Sequence, residues 1–246
     1  MTEIHTLSLT EIIHHWILNT VVEFGVPLVC VFPEAGHGLN VKPVPTCSSE
    51  DYAKGLLALF DSGLITFCSK VPGDDTEKHD GVRQLLQRFQ TLSKDDVSLR
   101  GQYGLLPTHR LRQLPGMQVG FRLTTCGGET WEKVAQPSWN RYVSVSSTLT
   151  TAELISAERD VLFAYMGWYP QLNGERIQLQ TIKLETHTNF KIVYWKRVPF
   201  VYHASFGIEP AVRRWASDEP SWFRDWRAST QSWYTPPWHL PGWPSP

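Results

Sequence analysis

The residues able to do chemistry are few and scattered. Glu11 and His15 stand one helical turn apart beside His14, but a zinc site would need a second ligand pair at helical or Cys-x-x-Cys spacing. His79, His109, His187, His203 and His239 read as isolated. The four cysteines (Cys30, Cys47, Cys68 and Cys126) form no such pair, so no metal site is expected. Cys126 is the best candidate for a nucleophile. It precedes an expected helix start, where the helix dipole favours a thiolate. The chain has no Gly-x-Ser-x-Gly, P-loop or Gly-x-Gly-x-x-Gly motif. Asp74-Asp75 reads as a solvated pair in a polar loop. The expectation is a chain with no assembled catalytic residues and no cofactor, with a thiol-dependent enzyme centred on Cys126 kept as an alternative.

Charge narrows the choice of partner. The 246 residues carry 23 Lys plus Arg against 24 Asp plus Glu, which excludes a strongly basic nucleic-acid binder. Residues 1–41 hold Glu3, Glu11, Glu23 and Glu34 and no Lys or Arg, whereas residues 100–141 are basic. Arg110 and Arg112, in His109-Arg110-Leu111-Arg112, are a candidate anion-binding spot.

The elements that position these residues follow from capping and periodicity. Ser8-Leu9-Thr10-Glu11 is a capping box ahead of a helical stripe of Ile12, Ile13, Trp16, Ile17, Val21 and Phe24. A second helix starts near Ser48 or Ser49 and stops at Asp61-Ser62-Gly63; a strand follows at residues 64–67. A third helix is expected over residues 80–92. A strand at residues 119–124 leads to a helix capped by Thr124 and carrying Trp131 and Val134. Thr150-Thr151-Ala152-Glu153 reads as a second capping box, opening a helix through Leu154, Ala157, Val161, Leu162 and Tyr165. Asn173-Gly174 marks a turn. Residues 177–184 alternate like a strand, and residues 190–206 are β-rich, with Pro199 marking an edge or a break.

Two of these pieces belong together. Leu56 to Ile65 is a helix ending in glycine and then a strand, and Phe121-Arg122-Leu123-Thr124-Thr125-Cys126-Gly127 is a strand entering a helix. The pair resembles bacterial winged helix-turn-helix proteins, in which a helix ends at a Gly-Leu-Ile strand and a returning strand reads Tyr-x-Leu-Thr-x-x-Gly. The resemblance covers residues 8–135 and departs from the family in placing about fifty residues where a wing needs about ten. It implies DNA binding, but the recognition-helix candidate at 49–60 offers Lys54 beside Glu50 and Asp51. Gly127-Gly128-Glu129-Thr130-Trp131-Glu132 with Pro137-Ser138-Trp139 is similar to bacterial immunity proteins that accompany toxins.

The fold expected is α+β: a winged-helix-like half with an inserted helix (1–146), a helix with a small antiparallel sheet (147–212), and a tail rich in Trp and Pro (213–246). The tail holds six of the 11 tryptophans. Trp215, Trp222 and Trp226 fit one helical face, packed on the domain. Trp233, Trp238 and Trp243 lie in an extended stretch that either wraps the chain's own body or anchors a partner. Trp222, Trp226, Trp233, Trp238 and Trp243 are therefore the candidate partner-binding residues. No membrane span or leader is read, and the cysteine usage fits a cytoplasmic protein. The leading expectation is a non-enzymatic protein that binds a protein partner, such as a toxin domain, by occlusion. A DNA-binding transcription regulator is the alternative.

Overall fold

The computed structural model describes residues 7–27, 47–69, 119–210, 233–236, 239 and 243. Two compact units emerge, Met1–Ala135 with Pro236–Pro246 and Gln136–Thr235. Among the described residues the class is α+β, with two antiparallel sheets. The helix expected at 80–92 lies outside the described residues, as do Arg110, Arg112, Trp215, Trp222, Trp226 and Trp238.

In the first unit, α1 (Leu9–Thr20) starts as the capping box dictates. The Glu11 N–H donates to Ser8 Oγ at 3.3 Å, and the Ser8 N–H donates to the Glu11 carboxylate at 2.8 Å. The helix stops four residues short of Phe24. The β-branched run Thr20-Val21-Val22 resists helical rotamers, and Thr20 Oγ1 donates back to the Trp16 carbonyl. Phe24 is consequently exposed. After β1 (Val26–Pro27), α2 (Ser49–Asp61) repeats the same capping logic with Ser48 and Asp51. It packs closely on α1: a Cβ on Gly55 would stand 2.6 Å from Ile13 Cγ2. Beside that contact the Trp16 and Tyr52 rings meet at 5.1 Å.

Strands β2 (Ile65–Ser69) and β3 (Val119–Leu123) pair antiparallel, and the sheet order is β1-β3-β2. Phe121 sits opposite Val26 on one side and Phe67 on the other and is fully buried. Helix α3 (Thr125–Ala135) follows directly, with Thr124 Oγ1 accepting from the Gly127 N–H at 3.0 Å. The two pieces joined by the sequence pattern do meet. The Leu64 carbonyl accepts from the Thr124 N–H at 3.0 Å, and Thr124 Oγ1 donates to the Gly63 carbonyl at 2.6 Å. Trp131 donates its indole N–H to Asn19 Oδ1 in the interior, at 3.2 Å.

In the second unit, β4 (Val143–Ser147), β5 (Thr151–Ser156), β6 (Glu175–Val193) and β7 (Lys196–Pro210) form a sheet ordered β4-β5-β7-β6. Helix α4 (Arg159–Asn173) lies on one face. There Leu162, Met166 and Tyr169 pack on Ala152, Leu154, Ala204, Phe206 and Ile208. The helix expected to open at Thr150 is therefore corrected: residues 151–156 are a strand. Thr148 Oγ1 accepts from the N–H groups of Thr150 and Thr151, so these threonines serve a hairpin turn and not a helix cap. Ala152, Leu154 and Ser156 are buried at period two, and the helical period begins only at Leu162. Gly174 ends α4 in the left-handed conformation, φ 69°, which suits a residue without a Cβ.

Pro199 falls inside β7, a strand flanked by β5 and β6. Its place is still a local edge, because the β5 ladder ends at Ser156 opposite Tyr202. Across from it Asn189 adopts φ 49° and its carbonyl accepts from Arg197 at 2.7 Å.

Candidate functional site

The sheet face opposite α4 carries the ionisable side chains that the sequence left apart. Alternation along β7 puts Tyr202, Ala204 and Phe206 toward α4, and His203 and Ser205 away from it. Cross-strand register then sets His203 directly opposite Glu185 on β6, with His187 two residues along the same face opposite Val201. On the other flank Ile155 faces His203, so Glu153 is its diagonal neighbour.

The side chains use this placement. His187 Nε2 lies 3.4 Å from His203 Nδ1. His187 Nε2 is also 3.7 Å from Glu185 Oε2. The opposite nitrogen of His203, Nε2, is buried and points toward Glu153 Oε2 at 3.8 Å, beyond hydrogen-bond range. One ligand atom each from Glu185, His187 and His203 fit within 4.8 Å of one another. Chemically, this is two imidazoles and a carboxylate converging from adjacent strands, with a second carboxylate behind. The two histidines read as isolated are thus a pair. They are 16 positions apart, and what unites them is the two-residue turn at Tyr194-Trp195 that registers β6 on β7. The dipeptide has none of the Asn-Gly character that flags such a turn in a sequence.

The outward side of α2 presents a second group of charged side chains. Glu50, Lys54 and Asp61 are exposed, with Asp51, Leu57, Ala58 and Phe60 half-buried among them. Lys54 is held by Glu50 at 2.7 Å, one turn away. The Asp51 carboxyl accepts from Ser48 side chain and backbone, which hold it below the ordinary carboxylate range. The surface is net acidic around an apolar strip.

The two cysteines with described side chains differ. Cys126 is exposed in the first turn of α3. Cys47 is half-buried near Asp51, and burial first, then that carboxylate, push its thiol up to about 11.

The tail residues divide by placement. Trp233 is buried, its ring 4.6 Å from Tyr142 and 5.1 Å from Trp139, and its carbonyl accepts from the Ser138 N–H at 2.6 Å. Trp195 and Lys196 extend this aromatic group over Trp139. Trp233 is thus an internal anchor of the second unit. Trp243 is half-buried.

Among the described residues no helix is long and apolar enough to cross a membrane. No protein-family model, curated protein or solved structure matches the chain.

Proposed function

We propose that the chain is a non-catalytic protein-binding protein whose first unit is winged-helix-like and recognises a protein partner through α2. The order α1-β1-α2-β2-β3-α3 with sheet order β1-β3-β2 supports the winged-helix-like reading. In that arrangement α2 occupies the place of the recognition helix. The observation that carries the choice of partner is the charge on its outward face. Glu50, Asp51 and Asp61 stand there against Lys54, which Glu50 already engages. Duplex DNA is bound mainly by cations that displace its counterions, so such a face repels phosphate. A partly apolar acidic strip suits a basic protein surface, as in occlusion of a toxin by an immunity protein.

The test uses the full chain as bait in its native host, with Glu50→Lys/Asp61→Lys as the comparison. The expected outcome is a partner held by the wild-type chain and bound at least about tenfold more weakly by the charge-reversed variant, with added salt weakening the wild-type complex. Equal retention by both forms refutes the reading. So does retention of genomic DNA by the wild-type chain in low-salt gel shifts, which would favour the transcription-regulator alternative.

A further inference from the structure

We infer that Glu185, His187 and His203 form a binding site for one divalent transition-metal ion of the zinc class, on the sheet face away from α4. The spacing is the first reason. Two nitrogens each about 2.0–2.1 Å from a tetrahedral zinc ion are about 3.4 Å apart, and His187 Nε2 and His203 Nδ1 stand at 3.4 Å. The carboxylate oxygen of Glu185 is 3.7 Å from His187 Nε2, and one ligand atom from each of the three residues lies within 4.8 Å of the others, so a rotamer adjustment of about 1 Å brings it to a third vertex. Glu185 is exposed and free to make that adjustment.

The second reason is the group behind the ligand. Metal-bound histidines characteristically direct their other ring nitrogen to a carboxylate or carbonyl, which sets the tautomer and strengthens the donor. The buried Nε2 of His203 is aimed at Glu153 in this way. With the proton on Nε2, the Nδ1 lone pair faces the cluster. Contraction of that 3.8 Å separation on binding would satisfy an atom that otherwise lacks a hydrogen-bond partner.

The third reason is rigidity. All four side chains project from adjacent strands of one sheet, so the donors are placed by backbone register and not by loops. Lys183, at the next position on the same face opposite Ser205, is a local cation, and the carboxylates of Glu153 and Glu185 outweigh it. Three protein donors leave a fourth vertex toward solvent for water. Two imidazoles with one carboxylate select zinc, cobalt, nickel or copper over magnesium or calcium, which prefer oxygen alone.

The test is titration of the reduced, chelator-treated full chain with Zn²⁺ against a chromophoric competitor, followed by Co²⁺ as a spectroscopic reporter. One equivalent is expected to bind at micromolar affinity or tighter. The Co²⁺ complex is expected to show the intense visible bands of a four-coordinate nitrogen/oxygen site without a thiolate charge-transfer band. His187→Ala and Glu185→Gln, both at sites open to solvent, should weaken binding at least tenfold. Glu153→Gln, which touches no metal, should weaken it about 10–100-fold while far-ultraviolet circular dichroism is unchanged. His14→Gln, in the other unit, should bind as the wild type does. Millimolar or weaker affinity, undiminished binding by His187→Ala or Glu185→Gln, or a thiolate band on Co²⁺ would each overturn the assignment; in the first case the two histidines are an ordinary hydrogen-bonded pair.

Discussion

Gly127→Ala and Gly167→Ala are the same substitution in two helices, and the structure gives them opposite signs. Gly127 lies in the first turn of α3, where an added Cβ would run into the Leu64 carbonyl oxygen and stand 2.8 Å from its carbon and 3.2 Å from Leu64 Cα. All three are backbone atoms, so relief requires moving the start of β2 away from α3. That movement also pulls on the Leu64 carbonyl, which accepts from the Thr124 N–H. Overpacking of this kind costs about 1–3 kcal/mol or more, against about 1 kcal/mol of helix propensity gained. With rigid backbone on the other side, the upper end applies, and a net loss of about 2 kcal/mol follows. Gly167 is in the middle of α4, where an added Cβ meets nothing within 4 Å. There the propensity gain stands alone, about 0.5–1 kcal/mol. At roughly 2–4 °C per kcal/mol for domains of this size, Gly127→Ala should lower the Tm of the first unit by about 4–8 °C. Gly167→Ala should raise that of the second by about 2–8 °C, because that unit is smaller and each kcal/mol there is worth about 4–8 °C. Differential scanning calorimetry reads both. A Gly127→Ala protein that melts at or above the wild-type temperature would refute the close-approach argument.

Other residues make separate tests. Thr124→Val removes a hydroxyl that both caps α3 and donates to the Gly63 carbonyl, and should cost about 1–2 kcal/mol in urea unfolding. Asn19→Leu deprives the Trp131 indole N–H of its 3.2 Å acceptor in the interior and should cost about 1–3 kcal/mol by the same assay. His14 and His15 both have lowered pKa values, chiefly because burial disfavours the imidazolium, with Glu11 partly opposing. The unfolded chain then binds more protons below about pH 6.5. First-unit stability should fall as pH drops through that value, and His14→Gln/His15→Gln should flatten the slope in unfolding measured from pH 7.5 to 5. Iodoacetamide at neutral pH should label exposed Cys126 well before Cys47, whose thiol is pushed up to about 11; peptide mass mapping reads the order.

The described helices of the first unit were legible because their signals are local. Ser8 with Glu11 and Ser48 with Asp51 write their own helix starts, and both boxes are present. The Leu-Thr-x-x-Gly run at residues 123–127 was legible for a reason the geometry now supplies. Its threonine ties β3 to the end of α2, and its glycine lets α3 pass the Leu64 carbonyl. The reading failed where two periods overlap. Leu154 satisfies both the helical spacing with Ala157 and Val161 and the alternation with Ala152 and Ser156, and the Thr148 turn that decides between them is a side-chain contact. The His187–His203 pair was invisible for a different reason. Cross-strand neighbours depend on register, and a Tyr-Trp turn gives no compositional hint of where the chain reverses.

The order of pairing in the second sheet also bears on synthesis. Strands β6 and β7 meet across a two-residue turn, so their ladder closes as soon as both have emerged. Strand β5 closes on β4 across the Thr148 turn, but its other partner comes late: Ser156 pairs with Tyr202, which leaves the ribosome roughly 50 residues later, a delay of about 2–10 s at ordinary elongation rates. During that interval Leu154 and Ala152 lack the strand that will cover their flank. Helix α4, made in between, is the natural interim shelter for them, and a nascent chain arrested before β7 is the species most exposed to chaperones and proteases.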